Sequence, residues 1–182
     1  MGLDMYLYKV KKTQSNLTPS AKDIVLVDEY LNYLNDKDSK NYTFEEWMGY
    51  TETPSQELID AYTSELKPQY SPYDTNIQIA IHEWFVLHTQ NGQDECQPSF
   101  VDKEQFEALL KACQKVISSQ INQVDLEIAA KAYLPTTTGF FFGSQNYDDY
   151  YIQYIKEIAD LIKNILKDDD FDTYYYIYHA SW

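Results

Sequence analysis

The sequence predicts a mixed α/β (α+β) fold, predominantly helical, with a small sheet that includes the N- and C-terminal strands. Three observations carry that expectation. The first residues alternate with a period of two. The last dozen alternate again and are crowded with aromatic rings. Between them, apolar residues recur at the three- and four-residue spacing of amphipathic helices.

Leu3, Met5 and Leu7 fall on one side of the opening strand and Asp4, Tyr6, Tyr8 and Val10 on the other, so one aliphatic face is expected to meet helices. In "LTPSAKDIVLVDEYLNYLND", Thr18 is positioned as an N-cap with Pro19 at the first helical position, and Ile24, Val27, Leu31 and Leu34 follow at helical spacing. Thr43 and Glu46 have capping-box spacing before a short helix, and Thr53, Pro54 and Gln56 repeat the arrangement. Pro68 and Pro72 interrupt the chain. "NIQIAIHEWFVLHTQNG" then reads as a helix whose inner face carries Ile77, Ile81, Trp84, Phe85 and His88, stopped at Gly92.

"PSFV" reads as a short strand. The helix after it is capped by Asp102 and turns Phe106, Leu109, Leu110, Cys113, Val116 and Ile117 inward. A shorter helix around "VDLEIAAKAY" ends at Pro135, and "GFFFG" reads as a further strand of the sheet. From Asp148 to about Lys167 a long helix aligns Tyr151, Ile155, Ile158, Ile162 and Leu166. A strand from Phe171 closes the chain, with aromatic side chains on both faces. If the terminal strands are neighbours, Tyr6 and Tyr8 share a face with Tyr174, Tyr176 and Tyr178. One domain over 1–182 is expected, with residues 12–75 as a helical insertion or lobe within it.

The chain carries 29 acidic residues against 14 basic ones, a net charge of −15, and every basic residue is lysine. Arginine supplies the bidentate fork that reads guanine edges and clamps phosphates, so its absence argues against direct nucleic-acid binding and in favour of a basic protein partner. Two cysteines, Cys96 in a polar loop and Cys113 on a helix core face, fit neither a disulfide framework nor a zinc site, and a reducing cytoplasm is expected. The opening "MGLDMYLYKVKK" lacks the pattern of a secretion signal, and no apolar run approaches the roughly 20 residues that span a bilayer.

Several chemistries fail on spacing. "HEWFV" has Val86 where a zinc-protease helix needs its second histidine. "DECQ" and "DDDFD" lack the central glycine and closing glutamate of a calcium loop. "GFFFGS" has no lysine for a phosphate loop, and no nucleophile elbow occurs. No metal, cofactor or catalytic residue is therefore assigned.

Four segments together resemble a family of small bacteriophage and prophage proteins: "MGLDMYLYK", "IHEWFV" ahead of "QDEC", "VDKEQFEALLKAC", and "LPTTTGFFFGS" with "YDDYY" and a terminal "SW". The likeness covers the first ten residues and 80–182. Within the family, the length, acidity and lysine-only composition look like a type II-A anti-CRISPR protein. "DTNIQIA" stands where other members have an aromatic and basic stretch. The resemblance implies a non-enzymatic inhibitor of an RNA-guided type II Cas nuclease in the cytoplasm of a host bacterium. Such a nuclease holds guide and target in positively charged channels that an acidic protein can occupy.

The expected partner-binding residues are Asp168, Asp169, Asp170 and Asp172, then Asp148 and Asp149, with Glu45 and Glu46 outside the region of likeness. Aspartates at a helix C-terminus oppose the dipole, which makes the first group the more suggestive. Two alternatives stand beside this expectation. One is an acidic DNA mimic aimed at another basic host protein. The other is a small-ligand binder or enzyme with a pocket around His82, Trp84, Thr136, Thr137 and Thr138.

Overall fold

The computed structural model describes residues 3–13, 17–49, 52–64, 68–70, 78–136 and 146–181. The expected "GFFFG" strand, Ile77, Thr137 and Thr138 lie outside them. An α+β fold is observed, predominantly helical, with a small antiparallel sheet containing both terminal strands. β1 (Asp4–Lys11) is followed by α1 (Ala21–Asn35), α2 (Phe44–Met48), α3 (Gln56–Tyr62) and β2 (Pro68–Tyr70). Then come α4 (Gln78–Thr89), β3 (Ser99–Phe100), α5 (Lys103–Ser118), α6 (Gln123–Tyr133), α7 (Asp149–Asp168) and β4 (Tyr174–Ser181).

The sheet order is β2-β1-β4-β3, which puts the two terminal strands at its centre. β1 and β4 pair over their full lengths, from Asp4 opposite Ser181 to Lys11 opposite Tyr174. Partners across a ladder share a face, so this register fixes two sets of side chains. Met5 and Leu7 lie with Tyr178 and Ala180 on one face, against α4, α5 and α7. Tyr8 and Val10 lie with Ile177 and Tyr175 on the other, against α1 and α3.

Two expectations are corrected by this register. The opening strand has two buried faces, and its second face is covered by the helices of 12–75. Tyr6 and Tyr8 face away from Tyr174, Tyr176 and Tyr178, because the antiparallel pairing sets Tyr6 opposite His179 and Tyr8 opposite Ile177. In strands, a change of one position in register exchanges the faces.

The larger core is dominated by α7, whose Tyr151, Ile155, Ile158 and Ile162 are buried as its periodicity requires. Each such side chain contributes about 1.5–3 kcal/mol by leaving water. α5 buries Phe106, Leu109, Cys113 and Val116 against it, and desolvation pushes the Cys113 thiol up to about 12, so that it behaves as an apolar filler. α4 is buried on most of its circumference, although His88, expected inward, is exposed.

Capping follows local chemistry, with two shifts of position. Thr43 with Glu46 and Asp102 with Gln105 form capping boxes, the first as expected from its spacing. α1 is capped by Ser20 rather than Thr18, because Ser20 and Asp23 satisfy each other's backbone N–H groups. Ser55, not Thr53, caps α3 by accepting from the Leu58 N–H. β4 begins at Tyr174 rather than Phe171. The Asp170 carbonyl accepts the N–H groups of Thr173 and Tyr174, and that turn holds Phe171–Thr173 out of the ladder.

Candidate functional site

The acidic turn between α7 and β4 is built by a helix end that needs a left-handed residue. Asp169 supplies it at φ 51°, a conformation aspartate adopts more readily than most residues, and its N–H reaches the Ile165 carbonyl. The four aspartates of this turn do not share one environment. Asp170 accepts from the Lys9 ammonium at 2.6 Å and Asp169 from Lys103 at 2.6 Å. Lys9 is only 16% exposed and lies over the Tyr174 ring at 4.5 Å. Burial alone would depress its pKa, but the hydrogen bond to Asp170 and the neighbouring Tyr176 hydroxyl outweigh burial and raise it.

Lys12 adds a hydrogen bond from its ammonium to the Phe171 carbonyl at 2.8 Å. The expectation that these aspartates are free to face a partner is thus corrected for Asp169 and Asp170. Their charges are matched by lysines of β1 and α5, which also removes the unfavourable placement at a helix C-terminus. Asp168 and Asp172 are exposed, without an ion pair among the described residues.

Asp148 is the N-cap of α7 and accepts from the Tyr151 N–H at 3.1 Å, while Asp149 sits exposed in the first turn, where the helix dipole favours it. Both have a sufficient local explanation.

Glu45 and Glu46 occupy a different kind of surface. Glu46 closes the capping box of α2, and the backbone N–H of Thr43 holds its carboxyl below the usual range. Glu45 is exposed beside it. Trp47 and Tyr42 have ring centroids 6.0 Å apart and are 37% and 53% exposed, although both are large enough to be core residues. The corner is held on α1 by Phe44, which is buried and meets the Tyr30 and Tyr33 rings edge-on, and by the Tyr33 hydroxyl donating to the Tyr42 carbonyl at 2.8 Å. Between residues 36 and 60, seven exposed carboxylates stand against two lysines. Sequence reasoning found Glu45 and Glu46 but missed Trp47 and Tyr42. The signal available was a tryptophan immediately after two glutamates on a helix too short to bury it.

The alternative pocket is divided by the structure. His82 and Trp84 are two residues apart on α4 and point to different sides of it, as helical geometry requires. His82 is buried. Its Nδ1 lies 2.7 Å from the Tyr178 hydroxyl and its Nε2 2.9 Å from Asp94. A carboxylate accepts, so Nε2 carries a hydrogen toward Asp94, and a neutral ring then accepts the Tyr178 proton at Nδ1. Phe85 stacks on the Tyr178 ring at 4.0 Å, and burial raises the Tyr178 pKa far above its ordinary value. This array fastens the 90–98 loop to the sheet and keeps the phenol buried.

Trp84 and Pro135, next to Thr136, instead line a groove between α4, α5 and α6. The Thr136 N–H donates to the Tyr147 hydroxyl at 3.2 Å. Among the described residues, no group of three or more His, Cys, Asp or Glu side chains is placed to hold a metal ion, and no helix is long and apolar enough to cross a membrane. In comparisons with known proteins, no family model, no curated protein and no solved structure matches the chain.

Proposed function

We propose that this protein is a non-enzymatic inhibitor that binds a basic surface of an RNA-guided type II Cas nuclease. The observation that carries the reading is the α1–α2 corner, where exposed tryptophan and tyrosine sit within a stretch of seven exposed carboxylates and two lysines. Aromatic anchors surrounded by charge are the composition of a protein-binding hot spot, and carboxylates around them complement lysine- and arginine-rich channels that hold nucleic acid. The resemblance to phage-encoded inhibitors supplies the partner class. The internal pairing of Asp169 and Asp170 moves the centre of the contact surface from the α7–β4 turn to α2, with Asp168 and Asp172 as peripheral charges.

The test is DNA cleavage by purified, guide-loaded type II nucleases, with and without this protein, at low and high salt. Inhibition is expected, stronger at low salt because exposed charges are screened beyond about 10 Å at 0.1 M salt. Trp47→Ala and Glu45→Lys should each weaken it by about tenfold or more while circular dichroism stays unchanged. Absence of inhibition at low salt across several such nucleases overturns the proposal. Capture of a different basic host protein, lost in the same two variants, would assign the corner to an acidic DNA mimic with another target.

A further inference from the structure

We propose that the groove between α4, α5 and α6 binds a small aromatic anion, a flat ring bearing a phosphate or carboxylate. Lys111 and Lys115 would take the anionic group, and His88 and Tyr133 would hold the ring.

The groove is open to solvent and has a volume of about 660 Å³, within the size range of small-molecule sites. Lys111 and Lys115 stand one turn apart on α5, which separates their Cβ atoms by roughly 5–6 Å. Lys9, Lys22, Lys103, Lys131 and Lys163 each have a carboxylate within 4 Å. Lys111 and Lys115 have none among the described residues, as is also true of Lys11, Lys12, Lys37, Lys40, Lys156 and Lys167; what sets the pair apart is its place on the lining, where Glu83 is the one acidic residue. On a chain with a net charge of −15, the lining of this groove carries two lysines against one glutamate.

The opposite wall is organised before any ligand arrives. His88 stacks on Trp84 with ring centroids 4.2 Å apart and planes 8° from parallel. Its Nδ1 is 2.7 Å from the Trp84 carbonyl, so Nδ1 must carry the hydrogen, and Gln105 donates to the His88 carbonyl at 2.8 Å. An imidazole fixed in tautomer and plane offers an outer ring face at little entropic cost. Leu87 and Tyr133, 54% and 46% exposed, supply apolar surface at the rim, while Ala108, Ala112 and Ala132 give the lining a low relief.

Charge also decides the size of the ligand. An extended polyanion would lie against the acidic remainder of the surface, whereas a mono- or dianion interacts mainly within a Debye length of the lysine pair.

The experiment is NMR titration of the intact chain, following the Trp84 indole and the α5 amides. Phenyl phosphate and indole-3-acetate are the probes, with inorganic phosphate, phenol and a short poly-glutamate peptide as comparisons. Saturable shifts are expected for one or both probes with a Kd of about 1 mM or tighter, and the arm that binds better identifies phosphate or carboxylate as the preferred group. Lys111→Gln combined with Lys115→Gln should weaken binding by about tenfold or more. Both lysines are exposed, so the fold is expected to persist. Tyr133→Ala should weaken the probes without creating affinity for inorganic phosphate. The proposal is overturned if neither probe saturates by about 10 mM, if inorganic phosphate or poly-glutamate binds as tightly, or if the double lysine variant binds unchanged. These outcomes are independent of nuclease inhibition.

Discussion

Replacing Asp170 by alanine separates the aspartates that build the fold from those that face solvent. In the wild type, the Lys9 side chain is 16% exposed, and its ammonium is bonded to Asp170 at 2.6 Å and lies over the Tyr174 and Tyr176 rings. Asp170→Ala leaves that cation half-enclosed without its counter-charge, while the backbone carbonyl that organises the turn remains. An exposed ion pair contributes about 0.2–1 kcal/mol, and stranding a fully buried charge costs about 3–5 kcal/mol. Asp170 itself is 38% exposed, so solvent screening moves the estimate toward the lower figure.

A loss of about 1–2 kcal/mol is therefore expected, or roughly 2–8 °C in Tm for a chain of this size. Asp168→Ala and Asp172→Ala should stay within about 0.5 kcal/mol of wild type. Urea unfolding at pH 7 measures all three, and the Asp170 difference should shrink in molar salt. The sign with pH is fixed by Lys9. Its folded pKa lies above the ordinary 10.5, so the contribution is whole below that value and is lost only as pH rises through the folded pKa. If Asp170→Ala were no less stable than Asp168→Ala, the ion pair would not be holding β1 to the turn, and Asp170 would return beside Asp168 and Asp172 as a candidate for partner contact.

Two further outcomes are expected. Tyr178→Phe keeps the ring stacked on Phe85 but removes the hydroxyl bonded by His82 Nδ1, and it should cost about 1–3 kcal/mol in thermal or urea unfolding; a neutral result would mean that this bond adds nothing to the core. His179 is buried, and desolvation, partly offset by a hydrogen bond with the Cys96 backbone, lowers its pKa below 6.5. The unfolded chain then takes up the proton first, so stability should fall as pH drops from about 6.5 toward the folded pKa. Unfolding curves between pH 7 and pH 5 should be flatter for His179→Gln than for wild type, and equal slopes would contradict the assigned cause.

The helices were legible because their determinants are local. Spacing in α5 and α7 assigns the buried face, and the Thr43–Glu46 box places the start of α2. Displacement of the caps of α1 and α3 by two residues each reflects competition among nearby hydroxyls able to cap the same helix start. The terminal strands were legible from alternation, and the charge imbalance from counting. Tyr42 and Trp47 escaped notice because exposure is a property of what fails to cover a side chain.

The sequence by itself determined the element types, the acidity without arginine, and the absence of several motif chemistries. Tertiary structure alone decided which face of β1 meets which face of β4, that Lys9 neutralises a carboxylate 161 residues away, and that His82 serves the sheet while Trp84 lines a groove. The physical reason is one of range. Backbone preference and side-chain period act over a few residues and fix a local face, whereas register and ion pairing arise only when distant segments are brought within a few ångströms, where a shift of one residue exchanges every contact.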